Sequence, residues 1–160
     1  MRSNGYSLVE LLAVLAILGV LAAMAMPMAQ MSAERARESE LKRALWEIRD
    51  ALDAYHAARL AGAIGPSPGV DPSGPAYPAT LHELTLLQPD LRADHRTESL
   101  RFLRQVPRDP FADPALDAEQ TWSARSYMSE ASKPVAGPDV YDVHSRAPGL
   151  ALDGTLLSQW

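Results

Sequence analysis

The chain has 160 residues, a formal net charge of −5 and no cysteine. This length suits one small domain plus an additional element. The lack of cysteine excludes disulfides, cysteine-ligated zinc and a thiol nucleophile. Basic residues are interspersed with acidic ones, so no basic stripe indicates a nucleic-acid partner.

An apolar run begins close to the N-terminus. Leu11–Ala29 contains no charged residue, and Glu10 stands directly before it. About twenty apolar residues at 1.5 Å each match a hydrocarbon core of roughly 30 Å, so the run predicts a membrane-spanning helix. It also fits a cleaved secretory signal, with Arg2 as the basic region and Ala23–Ala25 as the cleavage site, or a plain one-helix anchor.

The residues before the run support a third interpretation. The stretch GYSLVELL, residues 5–12, resembles the N-terminal signature of type IV pilins and of type II secretion pseudopilins. The resemblance implies that a prepilin peptidase cuts after Gly5 and that the new N-terminus, Tyr6, is methylated. Tyr6 replaces the commoner Phe. The resemblance also implies a leader over residues 1–5, a membrane and assembly helix over 6–29 and a periplasmic domain over 30–160. Pro27 falls where the family often loosens this helix in a filament.

Glu10 needs its own explanation, because a charged side chain at the centre of a membrane helix costs about 2.5–3.5 kcal/mol. Cleavage after Gly5 creates a positive amine at Tyr6, four residues before Glu10. In an array of helices, a neighbour's amine can pair with this carboxylate where the dielectric constant is low. We therefore predict that Glu10 sets the register of assembly. The alternative is that Glu10 only extends to the membrane interface.

Beyond the run, apolar residues recur at helical spacing. Their separations are four, three, four and three residues, as in an amphipathic helix; they are Leu41, Leu45, Ile48, Leu52 and Tyr55. We expect one helix from about Ser7 to about Leu60, roughly 80 Å long. Trp46 lies off the apolar stripe, which leaves two interpretations: an interface anchor, or packing within the domain.

The rest of the chain is rich in glycine and proline and predicts short elements. Thr80 and Glu83 have the spacing of a helix capping box, and aromatic and β-branched segments further on indicate antiparallel strands. The predicted elements are a loop over Gly62–Pro78, short helices over Leu81–Leu87 and Glu98–Arg104, and strands over Thr121–Met128 and Asp139–Ser145. The fold class predicted is α+β, with a long N-terminal helix packed on a small antiparallel sheet.

The order of the distal motifs resembles the G-type, or major, pseudopilin of type II secretion. The matching pieces are PRDPF at residues 107–111, the aromatic stretch 122–127, YDVHS at 141–145, Asp153-Gly154 and Trp160. The resemblance implies a non-enzymatic filament subunit in the inner membrane, with a single span and a periplasmic C-terminal domain. Its implied partners are copies of itself, other pseudopilins, the prepilin peptidase/methyltransferase and the inner-membrane assembly platform. The alternatives are a type IV pilus subunit and a secreted binding module with an ordinary signal peptide.

A cation site is the remaining chemical question. In the G-type family the segment around "DG" often holds calcium, which implies Asp153 and Thr155 as candidate ligands. Calcium prefers six to eight oxygen ligands, and one carboxylate with one hydroxyl falls short of that set. We therefore favour a plain turn at Asp153-Gly154 and expect no cofactor. Asp109 and Asp113 each precede a proline, which is ordinary turn chemistry, and the four histidines lack metal-ligand spacing.

Overall fold

The computed structural model describes residues 7–92, 94 and 97–160, and of residues 23–27 it describes the backbone only. The chain divides into two compact units, Met1–Arg37 and Glu38–Trp160. The first unit consists, from Leu8 onward, of helix. The second contains the end of that helix and all the other elements.

Helix α1 extends from Leu8 to Leu60, which confirms the long helix expected from the sequence. Its end is set by Gly62, which has a φ of +67°. The Gly62 N–H donates to the carbonyl of Arg59 and the Ala63 N–H to that of Ala58, at 3.0 and 2.9 Å. This pair of bonds is the Schellman motif, and it requires a residue that adopts a left-handed conformation without strain.

The core of the second unit forms along one face of α1. All five residues of the predicted stripe are no more than 2% exposed: Leu41, Leu45, Ile48, Leu52 and Tyr55. They pack with residues from the later segments, among them Leu84, Leu103, Trp122, Val143 and Leu157. The stripe is therefore the hydrophobic face of the domain, as its spacing indicated.

Two small antiparallel sheets follow. Strands β1 (Gln88–Pro89) and β2 (Ser99–Leu100) form one sheet. Strands β3 (Trp122–Arg125) and β4 (Asp142–Ser145) form the other, with Trp122 opposite Ser145. The two predicted strands are confirmed as a pair, although both are shorter than expected.

The predicted helix over Glu98–Arg104 is wrong. Ser99 and Leu100 form β2 instead. The Phe102 and Leu103 N–H groups donate to the carbonyl of Leu84, at 3.2 and 2.9 Å. Tertiary partners thus satisfy backbone donors that a helix would have paired locally, and the apolar spacing of this short segment fits either conformation.

The predicted capping box is also wrong. Residues Leu81–Thr85 form a 3₁₀ helix, and the Thr80 side chain makes no capping bond. The Glu83 carboxylate accepts instead from the Tyr55 hydroxyl at 2.7 Å, from the Ala79 N–H at 3.1 Å and from the Ser67 hydroxyl. Burial, and then the bond to Glu83, raise the pKa of Tyr55 above its usual range. The phenol therefore stays protonated and acts as a donor inside the core.

These elements define an α+β fold, a long N-terminal helix packed with small antiparallel sheets, consistent with the type IV pilin-like fold. Among the residues with described side chains, no helix is both long enough and apolar enough to cross a membrane. The predicted span Leu11–Ala29 includes residues 23–27, whose side chains are outside that description, and it stays a prediction.

Candidate assembly and processing site

Helix α1 begins with a side-chain cap from Ser7. The Ser7 hydroxyl oxygen accepts from the Val9 N–H at 3.3 Å, and its carbonyl accepts from the Leu11 N–H at 3.1 Å. Serine is a preferred residue at this position because it satisfies an N–H that has no partner within the helix. This role was not predicted from the sequence, although Ser7 and Glu10 have the Ser-x-x-Glu spacing that indicates a helix start.

Glu10 lies in the first turn of α1 and is exposed. Within the described part of the chain, no hydrogen bond or ion pair engages its carboxylate. The position favours a negative charge, because the N-terminal end of a helix carries a partial positive charge. The carboxylate is thus exposed at the helix start and can meet a group from another molecule.

The structure describes the other predicted site residues of this region only in part. Gly5 and Tyr6, the processing residues, lie outside the described residues. α1 is continuous through Pro27, whose side chain is likewise outside the description. Helix loosening at Pro27 stays a prediction for the assembled state.

The apolar side chains on either side of Glu10 are largely exposed. Each is at least half exposed: Leu8, Val9, Leu11, Leu12, Val14, Leu15, Ile17, Leu18, Val20 and Leu21. Exposed apolar surface of this extent indicates contact with lipid or with other protein. Glu10 therefore stands at the edge of a surface that needs a partner.

A second set of residues fixes the distal segments onto α1. The Arg49 Nε donates to Asp142 Oδ1 at 2.8 Å, and its Nη2 donates to the backbone oxygens of Val143 and Trp160, at 3.1 and 2.8 Å. The Lys42 ammonium lies 4.2 Å from the centre of the Trp160 ring. Arg49 thus joins the helix to β4 and to Trp160. No sequence signal predicted this role, because the partners lie more than ninety residues away.

Asp109 joins the two distal motifs. Its carboxylate is fully buried and accepts from the Phe111 N–H at 2.8 Å and from the Ser145 hydroxyl at 2.5 Å. The Asp109 N–H donates to the Thr121 hydroxyl at 3.2 Å. From the sequence, Asp109 was interpreted only as a turn residue before proline; the bond to Phe111 is that turn, and the bond to Ser145 adds a tertiary link.

Asp153 and Thr155 lie in a hairpin loop. The Gly154 N–H donates to the Ala151 carbonyl, the Ala151 N–H donates to the Thr155 carbonyl, and Gly154 has a φ of +84°. This is a three-residue loop of type I turn followed by a left-handed glycine. Asp153 Oδ1 accepts from the Thr155 hydroxyl and N–H, at 2.7 and 2.9 Å, and these bonds lower the pKa of Asp153.

We predict that calcium leaves the melting temperature of the protein nearly unchanged. Asp153 Oδ1 is occupied by Thr155, and the described residues contain no group of three or more acidic or histidine side chains that suits a metal. A ligand that binds only the folded state would raise the melting temperature. The measurement is thermal unfolding of wild type and Asp153→Ala with and without millimolar calcium. A rise of many degrees in wild type, absent from Asp153→Ala, would contradict the prediction.

Comparison with known proteins bears on the N-terminus. Residues 1–26 match the family model described as the prokaryotic N-terminal methylation motif. No curated protein and no solved structure shows a significant match to the chain. The match covers the residues that carried the prepilin resemblance, including Gly5, Tyr6 and Glu10.

This motif indicates the class of protein that the site supports. It is a type IV pilin-like prepilin signal, and it supports a type IV pilin-like or pseudopilin subunit. It implies processing by a prepilin peptidase, assembly into pilin-like filaments and a membrane-anchored N-terminus. The motif supports a structural, pilin-like subunit.

Proposed function

We propose that the chain is a structural subunit of the periplasmic pseudopilus of a type II protein secretion system, of the G-type. The single observation that carries the proposal is the N-terminal methylation motif at residues 1–26, which continues into the helix Leu8–Leu60. A processing signal attached to a long helix with an uncovered apolar surface suits a subunit that moves from the membrane into a filament.

The proposal gives each part of the chain a role. Residues 1–5 are the leader, residues 6–29 anchor the subunit in the inner membrane and pack in the filament, and residues 30–160 form the periplasmic domain. The partners are copies of this chain, other pseudopilins, the prepilin peptidase/methyltransferase and the inner-membrane assembly platform. Each role rests on the motif and on the uncovered apolar residues beside Glu10.

The G-type assignment rests on the resemblance of the distal motifs, two of which are in contact. The PRDPF and YDVHS segments, which carry the resemblance, are joined by the hydrogen bond between Ser145 and Asp109. A type IV pilus subunit is the second candidate, since the same N-terminal motif serves both classes. Deleting the gene and measuring both export of secreted proteins and surface pili separates the two: the proposal requires loss of export with pili retained.

Processing provides the direct test of the class. We predict that the mature chain begins at Tyr6, because a prepilin peptidase requires the small glycine before the cut. Gly5→Val should leave the precursor intact, and Ser3→Val is the control that should be cut normally. The measurement is N-terminal sequencing and mass of the membrane-extracted protein. A mature chain that begins near Met26 would instead indicate an ordinary secretory signal.

A further inference from the structure

The outward face of the sheet formed by β3 and β4 carries polar and charged side chains. Along β4, Val143 and Ser145 are fully buried in the core, whereas Asp142 and His144 alternate with them and are partly exposed. In the register of the two strands, Arg125 is paired with Asp142. Paired residues of an antiparallel sheet lie on the same face, and diagonal neighbours are within reach of long side chains. Arg125, Asp142 and His144 therefore share one face.

One carboxylate on this face serves two guanidinium groups. Asp142 Oδ1 accepts from the Arg49 Nε at 2.8 Å, and Asp142 Oδ2 lies 4.0 Å from the Arg125 Nη1. The Arg125 Nε is buried and has no hydrogen-bond partner in the described part of the chain. Asp53 of α1 lines the same cavity of about 220 Å³, but its side chain is exposed, where water and salt screen its charge. The two guanidinium charges are thus only partly compensated.

His144 is the group on this face that changes its charge near neutral pH. Burial lowers the pKa of His144, and Asp142 opposes that change. From the other elements, the charged groups that act on His144 are Arg125 of β3 and Arg49 of α1, and both lower its pKa further. The short helix Leu157–Gln159, which also contacts β4, contains no titratable side chain. The packed domain therefore favours the neutral imidazole, because a protonated ring would add a third positive charge.

Arg49 also holds the C-terminal segment, residues 150–160, to α1. Its Nη2 donates to the backbone oxygens of Val143 and Trp160, at 3.1 and 2.8 Å. Asp142 orients the same guanidinium group through the bond to its Nε. A charge that disturbs the contact between Arg49 and Asp142 therefore acts on the hold of the C-terminal segment as well.

We propose that Arg49, Arg125, Asp142 and His144 form an acid-sensitive switch, in which protonation of His144 weakens the contact between Arg49 and Asp142 and loosens the C-terminal segment from α1. Protonation and loosening are linked, because the loosened form binds the proton more tightly. A histidine whose pKa is lowered contributes stability that is complete above about pH 6.5, its ordinary pKa, and is lost as the pH falls below that value. The segment is thus held at neutral pH and loosened in acid.

A single introduced thiol in the full chain reports the loosening. The wild-type chain contains no cysteine, so only the introduced thiol reacts. Ala151→Cys places it in the C-terminal segment, where the wild-type side chain is 7% exposed. The matched control is Ala63→Cys, at a position after the end of α1 that is 2% exposed. The measurement is the rate of maleimide labelling in detergent micelles. Each rate is divided by that of the same chain unfolded in urea at the same pH, because the thiolate fraction itself depends on pH.

Between about pH 7.5 and about pH 5, where a histidine titrates, the normalised labelling of Ala151→Cys should rise several-fold and that of Ala63→Cys should stay constant. His144→Gln, which is neutral at every pH, should abolish the rise. His82→Gln should retain it, since His82 is an exposed histidine beside Glu119. Equal rises at positions 63 and 151 would indicate general acid unfolding, and a rise that persists in His144→Gln would indicate another titrating group. Either result would overturn the switch.

Titration of the wild-type chain by NMR tests the same proposal without relying on a thiol. The ring signal of His144 is the one that disappears in His144→Gln. It should titrate below about pH 6.5, and the labelling of Ala151→Cys should level off once the ring is protonated. A ring that titrates at or above its ordinary pKa would contradict the proposal. The contacts that carry this inference lie within one chain, so its failure would leave the proposed function and the cleavage after Gly5 unaffected.

Discussion

Asp109→Ala is expected to lower the free energy of unfolding of the second unit by about 2–4 kcal/mol, since buried hydrogen-bonding groups left without partners carry a cost of this size. The substitution removes the acceptor for the Ser145 hydroxyl and for the Phe111 N–H. The Ser145 hydroxyl is fully buried, where water does not replace the lost bond, and the Phe111 N–H is partly buried. The measurement is denaturant-induced unfolding of the chain from Met31 onward, which includes the whole second unit.

Asp113→Ala is the matched control for this prediction. Asp113 also precedes a proline and accepts a local bond, from the Ala115 N–H at 2.9 Å, but it is exposed. We expect its loss to cost less than about 1 kcal/mol, because water can satisfy the freed N–H. Equal losses from the two substitutions would mean that both aspartates act only as turn residues, as the sequence alone indicated.

Glu10→Leu is expected to abolish most filament assembly while leaving membrane insertion and processing intact. Removing a carboxylate from an apolar helix end favours insertion, and cleavage depends on Gly5. Assembly suffers because the neighbour's N-terminal amine loses its partner in a region of low dielectric constant. The measurements are crosslinking between subunits, export of a secreted reporter protein and mass of the processed chain.

Two further variants identify which property of Glu10 matters. Glu10→Gln keeps the size and removes the charge, so it should show a similar defect. Glu40→Leu removes an exposed carboxylate from the same helix, outside the apolar run, and should assemble normally. If Glu10→Leu supports assembly and export at the wild-type level, Glu10 serves only to reach the membrane interface.

The sequence was sufficient for features that depend on neighbouring residues. The helix Leu8–Leu60 and the buried stripe from Leu41 to Tyr55 were predicted because the periodic spacing of apolar residues indicates which side of a helix is apolar. The residues of the prepilin motif, from Gly5 to Glu10, were found because the signal is a contiguous pattern. The pairing of β3 with β4 was predicted in outline, since each segment has strand composition.

The errors arose where short segments had no local signal strong enough to resist tertiary contacts. Glu98–Arg104 has apolar spacing that fits a helix, but pairing with β1 made Ser99 and Leu100 a strand. Glu83 has the position of a capping residue, but Tyr55 and Ser67 draw its carboxylate into the core. In each case several hydrogen bonds to other segments outweighed a local preference of about 1 kcal/mol.

By itself, the sequence determined the processing signal, the long helix and its apolar face, because these are encoded by residues within a few turns of one another. Only the tertiary structure decided how the distal half is held. Arg49 meets Asp142 and Trp160, and Asp109 meets Ser145, across separations of 36 to 111 residues. It also decided that Trp46 is exposed and not packed in the core. Contacts between such distant residues depend on how the loops return to the helix, and no local pattern specifies that path. The same path decides whether the core covers an apolar side chain or leaves it exposed.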